Sequence, residues 1–175
     1  MSYLIRVDDR LVHGQVVEGW IKPLKISLII ICSNTVACDI MQQTLFKLSV
    51  PPHVKLECEK IEETAFNIVN NKYKKENVLI LISSLKDLNN FVDHVLSLSK
   101  NFVLENINIG GLRHCGNKKQ IYRALCLDKE DVELIKNLIS KNIILDYYIL
   151  PGDNKINLNT LFLDIEKNVN REGNK

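Results

Sequence analysis

The sequence predicts an α/β protein: a single domain with a mostly parallel seven-stranded sheet, helices on both faces and a possible antiparallel edge strand. Three observations support this fold class. Short apolar segments of strand length alternate with amphipathic helical segments along the chain. The strand segments are continuously apolar, which is typical of parallel strands covered on both faces. The chain has 175 residues without a linker or repeat, so we expect one domain over residues 1–175.

The predicted strands occupy residues 3–7, 27–32, 54–58, 78–83, 104–109, 122–127 and 143–150. The predicted helices occupy residues 14–22, 35–48, 61–73, 85–99, 128–141 and 157–169. Pro23 is expected to end the first helix, while Asn34, Ser84 and Asp128 are expected to begin the second, fourth and fifth. The strand at 143–150, which precedes a Pro-Gly turn, is the candidate for the antiparallel edge. The polar residues 168–175 are predicted to form a frayed tail.

Composition excludes several classes of protein. The formal net charge is +2, with 46% hydrophobic and 25% charged residues, so neither a nucleic-acid binder nor a membrane-spanning protein is indicated. No signal peptide is evident. The five cysteines are scattered and contain no CxxC pair, which argues against a zinc site or a disulfide framework. We therefore expect a cytoplasmic protein without a metal and without a cofactor.

The segment between the first strand and the first helix carries the candidate chemistry. Residues 6–16 read RVDDRLVHGQV, so one histidine, two arginines and two aspartates precede a helix start. Such a loop lies at the carboxyl edge of a parallel sheet, where ligands bind, and the helix start favours an anion. His13, flanked by fixed positive charge, is therefore a candidate nucleophile toward phosphorus. A lone histidine in this position is more often a helix cap or a solvated residue.

The sequence of this loop closely resembles that of the active loop in the IIB component of the mannose/fructose/sorbose-type sugar phosphotransferase system. The resemblance continues over ICSNTVACDIMQQTLFKLSVPPHVKL at 31–56, INIGGL at 107–112 and LDKEDVELIKNL at 127–138. It implies that His13 accepts a phosphoryl group on Nδ1 from a phosphorylated IIA protein and passes it to a sugar held by the membrane IIC/IID permease. It also implies peripheral association with the inner face of the membrane through that permease.

Five residues of the loop receive expected roles. His13 needs no external base, because a neutral imidazole attacks phosphorus unaided. Arg6 and Arg10 are candidate phosphate clamps, since guanidinium groups bind phosphate bidentately; the alternative is that they form structural salt bridges with Asp8 and Asp9. A carboxylate repels a phosphoryl dianion, so we expect Asp8 and Asp9 to shape the loop by orienting an arginine or fixing the imidazole tautomer.

Other groups are expected to meet this loop. The N–H groups of Gly14 and Gln15 could help to hold the anion. Ser83, at the end of the fourth strand, could donate its hydroxyl to the phosphoryl group, and the simpler alternative is that the following Ser84 only caps its helix. The glycine pair after the fifth strand should lie at the same edge of the sheet.

The loop at 110–119 offers a second basic segment. Gly111 and Gly116 have the spacing of a nucleotide-binding P-loop, but Asn117 occupies the lysine position, so no nucleotide site is indicated. The cationic side chains Arg113, Lys118 and Lys119 are predicted to dock a phosphorylated or acidic partner. This loop differs from the usual sequence of the family at three residues: Leu112, His114 and Cys115.

The leading hypothesis is thus a cytoplasmic phosphocarrier subunit that works between a IIA protein and a sugar permease, with a homodimer as a possible assembly. The first alternative is a regulatory phosphoprotein of the same fold that is not coupled to sugar transport. The second is an α/β protein whose loop binds a free anion.

Overall fold

The computed structural model describes residues 2–104, 107–113 and 116–170. Its strands are β1 (Ser2–Asp8), β2 (Leu28–Cys32), β3 (Lys55–Glu59), β4 (Asn77–Ile82), β5 (Ile107–Gly111), β6 (Lys119–Tyr122), β7 (Leu125–Leu127), β8 (Leu145–Tyr147) and β9 (Ile156–Asn157). Within these described residues, a seven-stranded sheet has the order β3-β2-β4-β1-β5-β8-β9, and β6 and β7 form a separate antiparallel ribbon. The predicted α/β fold with a mostly parallel sheet is therefore confirmed.

Two details of the predicted sheet are wrong. The segment 122–127 is not a strand of the main sheet, because the chain turns at Arg123 and the ribbon forms there. The strand at 143–150 is not antiparallel: β8 pairs in parallel with β5, and the antiparallel edge is β9. A helix between β7 and β8 provides the crossover that parallel pairing needs, whereas β9 has only two residues and leaves no sequence signal.

The helices are α1 (Gly14–Val16), α2 (Lys22–Leu24), α3 (Ile40–Leu48), α4 (Ile61–Val69), α5 (Leu85–Leu98), α6 (Lys129–Ser140) and α7 (Phe162–Asn170). A π-helical segment, Val17–Ile21, joins α1 to α2, so residues 14–24 form one continuous helical segment. Pro23 lies inside α2 rather than beyond it, and the segment ends where Lys25 adopts a φ of 51°.

Two of the three predicted helix starts agree with the structure. Ser84 and Asp128 cap α5 and α6 through their side chains, as predicted. Asn34 does not begin α3; its amide oxygen instead accepts a hydrogen bond from the N–H of Ile61, at the start of α4. Asp39 caps α3, and a short 3₁₀ turn precedes it.

The sheet separates two apolar clusters. One cluster contains side chains of α4 to α7, and the other contains Trp20 and further residues of the 14–24 segment. Along β1, Ile5 and Val7 belong to the first cluster, whereas Arg6 packs against Trp20 on the opposite face. This alternation, which every strand imposes, places the polar side chains of β1 beneath the helix that follows it.

The helix α3 has no buried residue, and four of its large apolar side chains are exposed: Ile40, Met41, Leu45 and Leu48.

In the part of the chain that the structure describes, no helix is both long enough and apolar enough to cross a membrane.

Candidate active site

Arg6 and Asp8 form a buried ion pair at the carboxyl end of β1. Neither side chain is exposed, and Nη2 of Arg6 lies 2.8 Å from Oδ2 of Asp8. Nη1 of Arg6 donates to Oδ1 of Asn108 in β5 at 2.6 Å. The guanidinium lies over the ring of Trp20, with its carbon 4.4 Å from the ring centre. Asp8 thus supplies the counter-charge of the buried guanidinium, which would be left unpaired without it.

The glycine pair at the end of β5 makes room for this ion pair. The pairing of β1 with β5 shifts register between Val7 and Asp8, so that Asp8 is opposite Gly111 and Gly110 is skipped. A Cβ atom on Gly110 would lie 1.9 Å from the guanidinium carbon of Arg6, whereas one on Gly111 would lie 3.4 Å from the carboxylate of Asp8. The Gly-Gly sequence therefore serves close approach of the backbone to two buried side chains.

Apolar burial and backbone bonds hold the loop after β1 in place. Leu11 has a left-handed φ of 55°, and its N–H donates to the carbonyl of Asp8 at 3.0 Å. The side chains of Leu11 and Val12 are buried against the cluster of Trp20. On the other side of the loop, Asp9 donates its N–H to the carbonyl of Gly111 at 2.9 Å. A left-handed leucine is uncommon, and its burial stabilises this tight loop.

His13 follows this loop and contacts the buried carboxylate. Its Nε2 lies 3.1 Å from Oδ2 of Asp8, and its side chain is 16% exposed. An ionised carboxylate can only accept a hydrogen bond, so Nε2 carries the proton and donates it. The neutral imidazole is then left with its free lone pair on Nδ1.

The surroundings of Asp8 keep its carboxylate ionised. Burial by itself would raise the pKa of Asp8, but the hydrogen bond with His13 and the charge of Arg6 outweigh it, and the pKa lies well below its usual range. Asp8 therefore stays charged at neutral pH, and it remains an acceptor for Nε2.

Arg10 places a second guanidinium beside the histidine. Its Nε lies 3.2 Å from Oδ1 of Asp8, its Nη2 lies 3.4 Å from Oε1 of Gln15, and its side chain is 36% exposed. The next residue after His13, Gly14, is exposed with no atom near its missing Cβ. The N–H groups of Gly14 and Gln15 are at a helix start, so they have no intrahelical acceptor. The side chain of His13 does not cap them, and they can therefore bind an anion.

Two of the predicted phosphate contacts are placed elsewhere. Arg6 is fully buried against Asp8 and Trp20, so it matches the alternative of a structural salt bridge and does not face the surface at His13. Ser83 donates its hydroxyl to Oδ2 of Asp87 at 3.1 Å, and the structure gives it no contact with the loop after β1.

The basic residues of the predicted docking loop are divided between two directions. Arg113 donates from Nε to Oδ2 of Asp9 at 2.9 Å, and its side chain is 67% exposed. Lys118 instead lies 2.7 Å from a carboxylate oxygen of Asp131 at the start of α6, and Lys119 contacts the carbonyl of Asn168. His114 and Cys115 lie outside the described residues. Among the residues that are described, no group of His, Cys, Asp or Glu could hold a metal ion.

Sequence reasoning missed two residues of this region. Asn108 is a fully buried amide whose oxygen accepts from Arg6 and whose Nδ2 donates to the carbonyl of Tyr148 at 2.9 Å. A single amide within the apolar strand INIGG was the available signal. Arg123, in the turn of the β6–β7 ribbon, lies near Arg10 and Arg113, and nothing local in the sequence indicated this proximity.

The fold and the site together define a class: an α/β protein with an accessible histidine, oriented by a buried carboxylate, at the carboxyl edge of a parallel sheet. The family model described as the "PTS system sorbose subfamily IIB component" matches residues 2–173. The chain belongs to this family, which confirms the resemblance seen in its sequence.

Individual relatives agree with the family model. The sorbose-specific EIIB components of Lacticaseibacillus casei and Klebsiella pneumoniae are 34% and 30% identical to the chain, over 86% and 89% of it and over 88% and 91% of their own lengths. The mannose-specific EIIAB component of Escherichia coli K12 is 30% identical over 94% of the chain but only 49% of its own length, so the chain spans about half of that relative. The crystal structure of the IIBSor domain of the sorbose permease from K. pneumoniae superimposes with a TM-score of 0.80 at 29% identity, covering 94% of this chain and 98% of that one.

Proposed function

We propose that this protein is a phosphocarrier of a sugar phosphotransferase system, which receives a phosphoryl group on Nδ1 of His13 and delivers it to a sugar during uptake. The observation that carries the proposal is the hydrogen bond from Nε2 of His13 to the buried carboxylate of Asp8. It assigns the proton to one nitrogen and leaves the other as the nucleophile.

In the first step, Nδ1 of His13 attacks the phosphorus of a phosphohistidine on a IIA protein. The N–P bond of the donor breaks as the new N–P bond forms, and the donor imidazole leaves with its electron pair. His13 keeps its Nε2 proton throughout, so the step needs no base on this chain. The developing charge on the phosphoryl oxygens faces the guanidinium of Arg10 and the N–H groups of Gly14 and Gln15, which are the donors that such a transition state requires.

In the second step, a sugar hydroxyl attacks the phosphorus, an O–P bond forms, and the N–P bond to Nδ1 breaks. The electron pair of the broken bond returns to Nδ1, and the hydroxyl proton passes to solvent. His13 returns to its starting tautomer because Asp8 still accepts from Nε2. Arg6 serves this cycle from a distance: its buried charge pairs with Asp8 and holds that carboxylate in place.

The partners follow from the relatives. Their names specify sorbose, mannose and, for a protein of Bacillus subtilis that is 27% identical, fructose, so a hexose is the proposed substrate class. We propose a phosphorylated IIA protein as the donor and a membrane IIC/IID permease as the holder of the sugar. Of the three predicted docking residues, we propose that Arg113 guides these partners, because it is largely exposed, and that Lys118 and Lys119 contribute less, because Lys118 is paired with Asp131.

The test is phosphoryl transfer from a ³²P-labelled IIA protein to the purified chain. We expect a label that is lost in acid and kept in base, and ¹⁵N NMR should place the phosphorus on Nδ1. His13→Ala should take up no label. The matched control is His53→Ala, since His53 is exposed in the turn before β3, and this variant should label like the wild type. Uptake of label by His13→Ala would refute the assignment.

A second measurement separates transport from regulation. Membranes that contain the cognate permease should convert a hexose into its phosphate only when the labelled protein is added, and the label should move from His13 to the sugar. A protein that is phosphorylated on His13 but passes no label to any sugar would instead be a regulatory phosphoprotein.

A further inference from the structure

A recess of about 540 Å³ lies between the loop after β1 and the β6–β7 ribbon. This volume is within the range of about 300–1,000 Å³ that is typical of small-molecule sites. The polar side chains that line it come from four separate segments of the chain: Arg10, Gln15, Arg113, Gln120, Arg123 and Asp153. Arg10, which lines the recess, and His13 both contact the carboxylate of Asp8, so the recess is connected to the nucleophile through Asp8.

Three arginines line this recess, and they differ in their partners. Arg10 and Arg113 are bonded to carboxylates of the loop after β1. Arg123 is exposed, and its guanidinium forms no hydrogen bond or ion pair with the residues that the structure describes; only its carbonyl accepts, from Gln120 at 3.4 Å. An unpaired guanidinium next to two paired ones is a binding group for a phosphate.

The same recess contains groups that do not suit a bare phosphate. Asp153 contributes a carboxylate, one oxygen of which accepts from the N–H of Leu150 at 2.8 Å, and this charge repels a small dianion. Carboxylate and amide side chains such as Asp153, Gln15 and Gln120 are instead acceptors and donors for hydroxyl groups. The side chains of Leu112 and Ile149 add an apolar wall, against which the C–H face of a sugar ring can pack.

From this combination we infer that the recess binds a hexose monophosphate, the product of the second transfer step. Its phosphate faces Arg123 and the two paired arginines, and its hydroxyl groups face Asp153 and the amides. This inference rests on the proposed function, since it names the product of that reaction as the ligand. A bound hexose phosphate lies where a phosphorylated donor must approach His13, so it inhibits the next phosphorylation of the protein.

Titration of the purified, unphosphorylated protein with mannose 6-phosphate, followed by ¹H–¹⁵N NMR, tests the inference. We expect saturable shifts at Gln15, Gln120 and Asp153, much weaker binding of inorganic phosphate, and no binding of mannose. Arg123→Gln should raise the dissociation constant at least about tenfold, since a charge-assisted hydrogen bond is lost. The control Lys74→Gln removes an exposed charge just before β4, at the amino ends of the parallel strands and thus away from the recess. This variant should bind mannose 6-phosphate like the wild type.

A second variant tests the sugar half of the site. Asp153→Asn keeps an oxygen for the N–H of Leu150 but removes the negative charge, so inorganic phosphate should bind more tightly. The difference in affinity between mannose 6-phosphate and inorganic phosphate should therefore become smaller. The inference is overturned if mannose 6-phosphate does not bind, or if it binds no better than inorganic phosphate and is insensitive to Arg123→Gln. Labelling of His13 by the IIA donor in the same preparation separates the two ideas: labelled protein without sugar-phosphate binding refutes the inference alone, and binding without labelling refutes the proposed function.

Discussion

Nε2 of His13 donates a hydrogen bond to Oδ2 of Asp8 across 3.1 Å. The same carboxylate oxygen accepts from Nη2 of Arg6 at 2.8 Å. One buried oxygen thus connects an accessible nucleophile to a charge in the protein interior. The tautomer of the histidine and the stability of the loop therefore depend on the same carboxylate.

Replacing this carboxylate by an amide should reverse the tautomer. In Asp8→Asn, the side-chain oxygen can take the place of Oδ1 and keep accepting from the backbone N–H and Nε of Arg10. The NH₂ group then takes the place of Oδ2 and faces both His13 and Arg6. Nε2 must become the acceptor, so the proton moves to Nδ1 and blocks the nucleophile. The analogous wrong-tautomer change in a serine protease triad lowers the rate by about 10⁴, and we expect a loss of several orders of magnitude in label uptake from the IIA donor. Uptake at the wild-type rate would mean that Asp8 does not set the tautomer.

The same variant should reveal a pH-dependent contribution to stability. The pKa of Asp8 is lowered in the folded protein, so its stabilising effect is complete above the unfolded value of about 3.9 and is lost as the pH falls below it. We expect Asp8→Asn to lower the free energy of unfolding by about 3–5 kcal/mol at pH 7, since Arg6 loses its buried counter-charge. Urea titrations of both proteins at pH 7, 5 and 3 should show this gap shrinking only at the lowest pH. A gap that is constant with pH would show that the carboxylate is not stabilised in its charged form.

Arg10 should contribute to the rate and not to the fold. Its guanidinium is partly exposed beside His13, so Arg10→Ala should slow phosphoryl uptake. By analogy with the loss of an oxyanion-hole donor, the activation barrier should rise by about 2.7–4 kcal/mol. Arg10→Lys should recover only part of the rate, because an ammonium group lacks the planar fork. Single-turnover labelling measures the rate, and circular dichroism with urea unfolding checks the fold. An Arg10→Ala protein that labels normally would leave Arg10 as a structural salt bridge to Asp8.

Much of this site could be predicted from the sequence, because its elements are local. The loop RVDDRLVHGQV lies between a strand and a helix, and a parallel sheet places such loops at one edge. For the same reason the helix caps at Ser84 and Asp128 were predictable, since each side chain bonds a backbone N–H three residues ahead.

The position of Arg6 could not be predicted in this way. Whether an arginine at the end of a strand reaches solvent depends on the other chain segments around it, and here Trp20, Asn108 and the backbone of Gly110 enclose it. Two of these groups are about one hundred residues away in the sequence. The strand β9 was missed for a related reason: two residues that pair with β8 at an edge carry no periodicity of their own.

The glycine pair offers a sharp test of how the buried ion pair is accommodated. Gly110→Ala would bring a Cβ atom to 1.9 Å from the guanidinium carbon of Arg6, and this guanidinium is held by Asp8 and Asn108. We expect a loss of more than about 2 kcal/mol in unfolding free energy, comparable with overpacking of a core, together with slower labelling of His13. Gly111→Ala makes only an ordinary contact of 3.4 Å with the carboxylate of Asp8 and should be milder. Gly14→Ala, with nothing within 4 Å, is the control for stability. Equal stability of the two β5 variants would contradict the role assigned to Gly110.

The last prediction concerns the approach of the phosphorylated donor. Arg113 is largely exposed beside Arg10, whereas Lys118 is directed to the carboxylate of Asp131. Arg113→Gln removes a positive charge and leaves the negative charge of the Asp9 carboxylate without its partner. Both changes make the surface less attractive to a phosphorylated partner. We expect its second-order labelling rate to fall several-fold at low salt and to approach the wild-type rate at high salt, because such attraction is screened beyond about 8 Å at physiological ionic strength.

The matched comparison for Arg113→Gln is the double variant Lys118→Gln/Lys119→Gln. The charge of Lys118 is already offset by Asp131 and, at 4.0 Å, by Asp128, so removing it changes the field at His13 less. We therefore expect a smaller loss of rate and a salt slope close to that of the wild type. If the double variant instead loses more rate than Arg113→Gln, and its salt slope flattens, the donor docks across the start of α6, and the lysines rather than Arg113 guide it to His13.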